Sequence, residues 1–116
     1  MTIRTRSPKR IAETQRWGKF ARQLRQDYPT CQCQWNGECG LPTTEIHHIV
    51  PLSQARNLRF AVANLLPVNR HCHSRIHLQV AAARALGMLR AAWEVCEVCG
   101  APGDRADRCL ECGETA

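Results

Sequence analysis

Apolar residues recur over residues 11–26 near helical intervals, at Ile11, Trp17, Phe20, Ala21 and Leu24, with Arg and Gln between them. This spacing predicts an amphipathic helix over 11–26, ended by Pro29. Residues 30–43 lack such a period, carry the Asn36-Gly37 turn signal and read as loop. TEIHHIV at 44–50 has strand composition and stops at Pro51. A polar loop follows over 52–63, and NLLPV at 64–68 reads as a short extended segment bent by Pro67. From residue 69 the chain is rich in Ala, Leu and Arg. Asn69 suits a helix N-cap, and the pattern predicts one long helix ending near Trp93, weakened locally by Gly87. Residues 94–116 show no apolar period.

A length of 116 residues suits one domain with a small appendage. No apolar run approaches the ~18–20 residues of a membrane span. The N-terminal MTIRTRSPKR has positive charge but no apolar stretch behind it, so it does not read as a secretory signal. A cytoplasmic chain is expected, and there the eight cysteines stay reduced and favour metal over disulfides. Export by another route would leave roughly a hundred disulfide pairings open.

The net charge of +6 is unevenly spread. Residues 1–26 carry Arg4, Arg6, Lys9, Arg10, Arg16, Lys19, Arg22 and Arg25 against Glu13, a balance of +7. Residues 27–93 balance at +3 and residues 94–116 at −4. Fourteen of the sixteen basic residues are Arg, whose planar fork suits phosphate. A solvated basic helix explains the N-terminal excess as readily as a polyanion partner does; nucleic acid is the simplest such partner.

The cysteines form two groups. Cys96-x2-Cys99 and Cys109-x2-Cys112 are two CxxC turns, each followed by Gly. Four such thiolates make a closed tetrahedral site that zinc fills. Residues 94–116 have too few apolar residues to fold without such a staple. A redox pair of CxxC motifs is the competing reading. Cys31, Cys33, Cys39 and Cys72 are scattered through the middle, where all five histidines also lie. His73 and His77 are four apart, so a helix puts them on one face and lets them chelate one ion. His47 and His48 are adjacent on a strand and point to opposite faces. Only one of them can join that ion, which leaves the other free as a base near neutral pH. A structural His-zinc site is the bland alternative.

EIHHIVPL, then NLLPV, then CHSRIH, in that order and with fitting gaps, resemble the HNH endonucleases of the ββα-metal superfamily. The resemblance covers about residues 17–80 and includes Trp17 and the DYPTC run. It implies a small α+β fold: a ββα-metal nuclease core preceded by a basic helix and followed by a long C-terminal helix and a small zinc-ribbon-like element. The implied domains are a disordered basic arm at 1–10, an HNH nuclease domain at 11–93 and the four-cysteine element at 94–116.

The resemblance further implies roles. His48, second of the pair, is the general base, and His47 joins His73 and His77 as metal ligand, an arrangement closer to nuclease colicins. Asn64 matches the middle Asn that braces the loop between the strands and helps orient the base, a catalytic role. His48 would take a proton from a water attacking a DNA phosphodiester. The metal on the three histidines would offset charge on the phosphorus and the departing 3′ oxygen. Three imidazoles suit Zn, Ni or Mn, while many relatives use Mg. Arg75 lies largely off the ligand face and reads as a solvated helix residue before a phosphate contact. Arg16, Lys19 and Arg22 on the first helix are the expected DNA contacts.

One departure concerns structural zinc. Relatives use two CxxC-like pairs, but residue 69 is Asn and the first pair is stretched. Either Cys31, Cys33, Cys39 and Cys72 form the site together, or His71 takes part, or that zinc is absent. The first is preferred and makes Asn69 a helix cap. The expected cofactors are one catalytic divalent metal and one or two structural zinc ions.

The leading function is a DNA endonuclease or nickase, and the small size and basic arm suit a phage enzyme acting with packaging or restriction proteins. The C-terminal element would meet a protein partner, and no membrane is involved. The alternatives are a catalytically silent zinc-stapled DNA-binding or adaptor module and a purely structural metal protein.

Overall fold

The computed structural model describes residues 7–35 and 39–102. Among them the architecture is small α+β, with one two-stranded antiparallel sheet and three helices.

Helix α1 spans Pro8–Asp27. It starts inside the expected arm because Ser7 is a good cap: its side chain accepts a hydrogen bond from the Arg10 amide, and Pro8 takes the first turn, where no amide partner is needed. Residues 1–6 of that arm lie outside the described residues. The helix stops at Tyr28, which Pro29 behind it keeps out of helical geometry. Ala21 and Leu24 are its buried residues.

Strand β1 is Glu45–His48 and strand β2 is Leu65–Val68. They pair antiparallel with His47 opposite Leu66 and His48 opposite Leu65. Pro67 is tolerated because a two-stranded sheet has only edge strands. Helix α2, Arg70–Leu78, follows β2 at once, capped by Asn69, whose side chain accepts from the His71 amide.

The long helix expected to reach Trp93 is not one element. It breaks at Gln79, whose non-helical backbone (φ −119°, ψ 62°) separates α2 from helix α3, Val80–Ala85. Gly87, at φ +78°, then turns the chain away from α3, and only a single 3-10 turn, Ala92–Glu94, follows among the described residues. Helix-forming residues alone favour continuity, but packing wins. The break lets α3 bury Ala83, and the turn at Gly87 sends Met88 into the same core. That core also holds Trp35, Val68, Ile76, Cys31, Cys33 and Cys72. A second, smaller cluster of Val50, Ala55, Leu58 and Val95 packs the β1–β2 loop against the start of the C-terminal element.

Candidate active site

The two-residue period of β1 sorts its side chains onto two faces. Glu45 and His47 face α2; His48 faces α1. On the first face, His47, His73 and His77 each offer a ring nitrogen, and the three atoms lie within 4.8 Å of one another. His73 and His77 come from consecutive turns of α2, and their Nε2 atoms are 3.2 Å apart. Ligands on a tetrahedral ion with ~2.0–2.1 Å bonds stand about 3.3 Å apart, so this edge fits a metal.

The rings are held from behind. His73 Nδ1 is 2.6 Å from Glu45 Oε2, so Nδ1–H donates to the carboxylate and Nε2 keeps its lone pair. His47 Nε2 lies 2.6 Å from the Met88 carbonyl, so Nε2–H donates and Nδ1 is the free nitrogen. Burial, helped by the neighbouring His73 and His77 and opposed by the bond to the Met88 carbonyl, pulls the His47 pKa down to about 4. His47 is therefore neutral at neutral pH, the state a ligand needs.

On the other face, His48 ends β1 and is half-buried. Its ring stacks on Trp17 of α1 at a centroid distance of 4.9 Å. Its Nε2 is 3.1 Å from the Arg59 carbonyl, so Nε2–H donates there and Nδ1 is the basic nitrogen. Burial lowers its pKa; the bond to Arg59 O opposes that, while the Arg59 and His73 charges add to it.

Asn64 is fully buried and touches neither face. Its Oδ1 accepts from the Val50 amide at 2.8 Å, and its Nδ2 donates to the Val50 carbonyl at 3.3 Å. Its own carbonyl accepts from the Ile49 amide at 2.9 Å. These bonds close the loop two residues beyond His48. Asn64 thus braces the loop through Ile49 and Val50.

The ligand atoms of Cys31, Cys33, Cys39 and Cys72 also lie within 4.8 Å of one another. The Cys39 and Cys72 sulfurs are 3.4 Å apart, near the ~3.8 Å edge of a four-thiolate zinc site. Burial raises the Cys33 and Cys72 thiol pKa values, whereas the Leu41 backbone lowers that of Cys39. The Asn69 amide donates to Cys31 Sγ at 3.2 Å. A cation would overcome the burial cost of these thiolates, so the donor set fits zinc. His71 is exposed and outside the group, and Asn69 caps α2.

Of the C-terminal four, Cys96 and Cys99 sit on a turn closed by the Gly100 amide donating to the Cys96 carbonyl at 2.8 Å. Cys109 and Cys112 lie outside the described residues. Lys19 and Arg22 are exposed on α1, while Arg16 lies 4.0 Å over the Phe60 ring. Arg75 is half-buried: its guanidinium lies 4.2 Å from the Trp35 ring centre and its Nε donates to Gln79.

Sequence reasoning passed over Glu45, the Met88 carbonyl, Trp17's stacking and the Arg59 carbonyl. Glu45 had a signal, since strand alternation puts it on the His47 face. The two carbonyls had none, because a main-chain acceptor looks alike at every residue.

Residues 31–79 match the family described as HNH endonuclease. No curated protein and no solved structure matches the chain. The matched segment contains the four clustered cysteines, both strands, all five histidines, Asn64 and α2. By that match, residues 31–79 are identified as an HNH endonuclease domain within the chain.

Proposed function

We propose that the chain is a metal-dependent DNA endonuclease or nickase that hydrolyses phosphodiester bonds. One observation carries the reading: three imidazole nitrogens converge beside a fourth imidazole whose Nε2 bonds a main-chain carbonyl and whose Nδ1 has no hydrogen bond among the described residues. His47, His73 and His77 hold the divalent metal, with Zn, Ni or Mn suited to three imidazoles and Mg within the family's range. When bound, the ion supplies Lewis-acid stabilisation of charge on a phosphate oxygen and on the departing 3′ oxygen. Glu45 and the Met88 carbonyl fix the tautomers of His73 and His47, so each ring presents its lone pair without a search.

His48 Nδ1 removes a proton from the attacking water. The bond to the Arg59 carbonyl keeps that nitrogen unprotonated and aims the ring. Asn64 positions His48 through Val50. Cys31, Cys33, Cys39 and Cys72 hold one structural zinc, and Cys96, Cys99, Cys109 and Cys112 a second. Arg16, Lys19 and Arg22 run along the DNA backbone. The acidic C-terminal element suits a protein partner better than phosphate, and the basic helix beside a small nuclease suits a phage packaging or restriction role in a bacterial cytoplasm.

The test uses supercoiled plasmid incubated with the protein and Mg, Mn, Ni or Zn, alongside His48→Ala. Nicking that falls by about 10²–10⁴ in the variant is expected. Absence of nicking by folded protein with every metal would sink the endonuclease. Equal nicking by His48→Ala would remove His48 as the base. Zinc released on denaturation should be about two per chain when both cysteine sites are filled.

A further inference from the structure

The β1–β2 loop and α1 enclose a cavity of about 320 Å³, walled by Glu13 and Arg16 of α1 and by Arg56, Arg59 and Phe60 of the loop. None of the loop arginines stood out in the sequence. Three guanidinium groups face one carboxylate here, so the cavity is strongly cationic. Its cation count is not neutralised by pairing. Among the described residues, the polar partner of the Arg59 guanidinium is Glu13, at 3.8 Å, longer than a hydrogen bond. Arg59 Nε is buried with no hydrogen-bond partner. A guanidinium carries five donors, and among the described residues this Nε–H has no acceptor.

Aromatic rings flank the arginines. Arg16 lies over the Phe60 ring at 4.0 Å, and Arg59 stands 5.6 Å from the Trp17 ring centre and 5.9 Å from that of Phe60. Trp17 and Phe20 pack on Phe60 in turn. Aromatic faces orient the planar forks without consuming their N–H donors. The cavity also shares a residue with the proposed base, because His48 is held by the Arg59 main-chain carbonyl while the Arg59 side chain turns to the cavity.

From these placements we infer that Arg16, Arg56 and Arg59 form a binding subsite for a backbone phosphate of the DNA strand, adjoining the one at His48. The inference rests on the proposed nuclease reading for its ligand. A phosphate oxygen supplies the acceptors that Arg59 lacks and displaces the long contact to Glu13. Charge-assisted, bidentate contact is the mode that Arg favours with phosphate. Phosphate held here fixes the strand's register relative to His48 and carries no sequence information.

The test is anisotropy of a labelled duplex across a salt series, with His48→Ala as the parent so that DNA stays intact. Arg56→Gln and Arg59→Gln should each weaken binding by a similar factor on unrelated sequences and lower the log–log salt slope by about 1. Glu13→Gln should tighten binding. Arg59→Lys keeps the charge and should retain the slope. An unchanged slope in both Gln variants overturns the subsite. So does a slope loss in Arg59→Lys equal to that of Arg59→Gln, since Arg59 then acts by packing alone. Plasmid nicking by the unmodified protein separates the two readings: nicking with unchanged slopes rejects the subsite only, and lowered slopes without nicking reject the nuclease only.

Discussion

The two faces of β1 make an instructive pair. His47 and His48 are the same residue type, adjacent in sequence and both withdrawn from solvent, yet their surroundings give them different chemistry. His47 is 2% exposed, hydrogen-bonded to a main-chain carbonyl and turned toward two more imidazoles. His48 is stacked on an indole, bonded to a different carbonyl and close to an arginine-lined cavity. Strand alternation alone separates them. One face can hold a cation; the other can hold a proton and, beyond it, an anion.

The sharpest way to break this pair is to remove one histidine at a time. His47→Ala should lose both metal binding and nicking, because it takes one of three ligands from the ion. His48→Ala should lose nicking but keep metal affinity, read by calorimetric titration with the same ion. If the two variants lose metal equally, the division of labour between the faces is wrong.

A smaller effect is expected behind the first face. Glu45→Gln leaves a hydrogen-bond acceptor but removes the charge opposite His73 Nδ1. Partners of this kind are worth about 10–100-fold in metal affinity or activity. Titration should show a weaker site in Glu45→Gln, with nicking recovered at raised metal concentration. Full activity at limiting metal would mean that Glu45 does not orient His73.

Legibility in the sequence followed the range of the interaction. The α1 helix, both extended segments and the Asn69 cap were readable because periodicity, proline and capping act within a few residues. The His73/His77 pair was readable from helical spacing, and its convergence with His47 was implied by the HNH resemblance. The break at Gln79 was not, since helix-forming residues flank it and the cause is tertiary: Ala83 and Met88 are drawn into the core beside Ile76. The Met88 carbonyl reaches His47 beyond the Gly87 turn that ends α3, so a missed helix end and a missed site contact go together. Arg59 was passed over for a similar reason, its significance resting on α1 packing against the loop.

The finest test of the comparison lies at Gly100, behind the second face. Gly100 sits at φ +79°, and a Cβ there would stand 3.1 Å from the Asn64 Cβ and 3.4 Å from the Asn64 amide nitrogen. The cysteine turn of residues 96–100 thus presses on the residue that braces the loop beyond His48. Gly100→Ala combines left-handed backbone strain of about 1–2 kcal/mol with a contact that Asn64 can relieve only by giving way. Melting temperature should fall by roughly 4–8 °C per kcal/mol lost. On the proposed mechanism nicking should fall more than metal affinity does, because Asn64 bonds Val50, two residues beyond His48, whereas His73 and His77 are carried by α2. Equal losses on both faces would mean that the C-terminal turn supports the domain as a whole and not the base in particular.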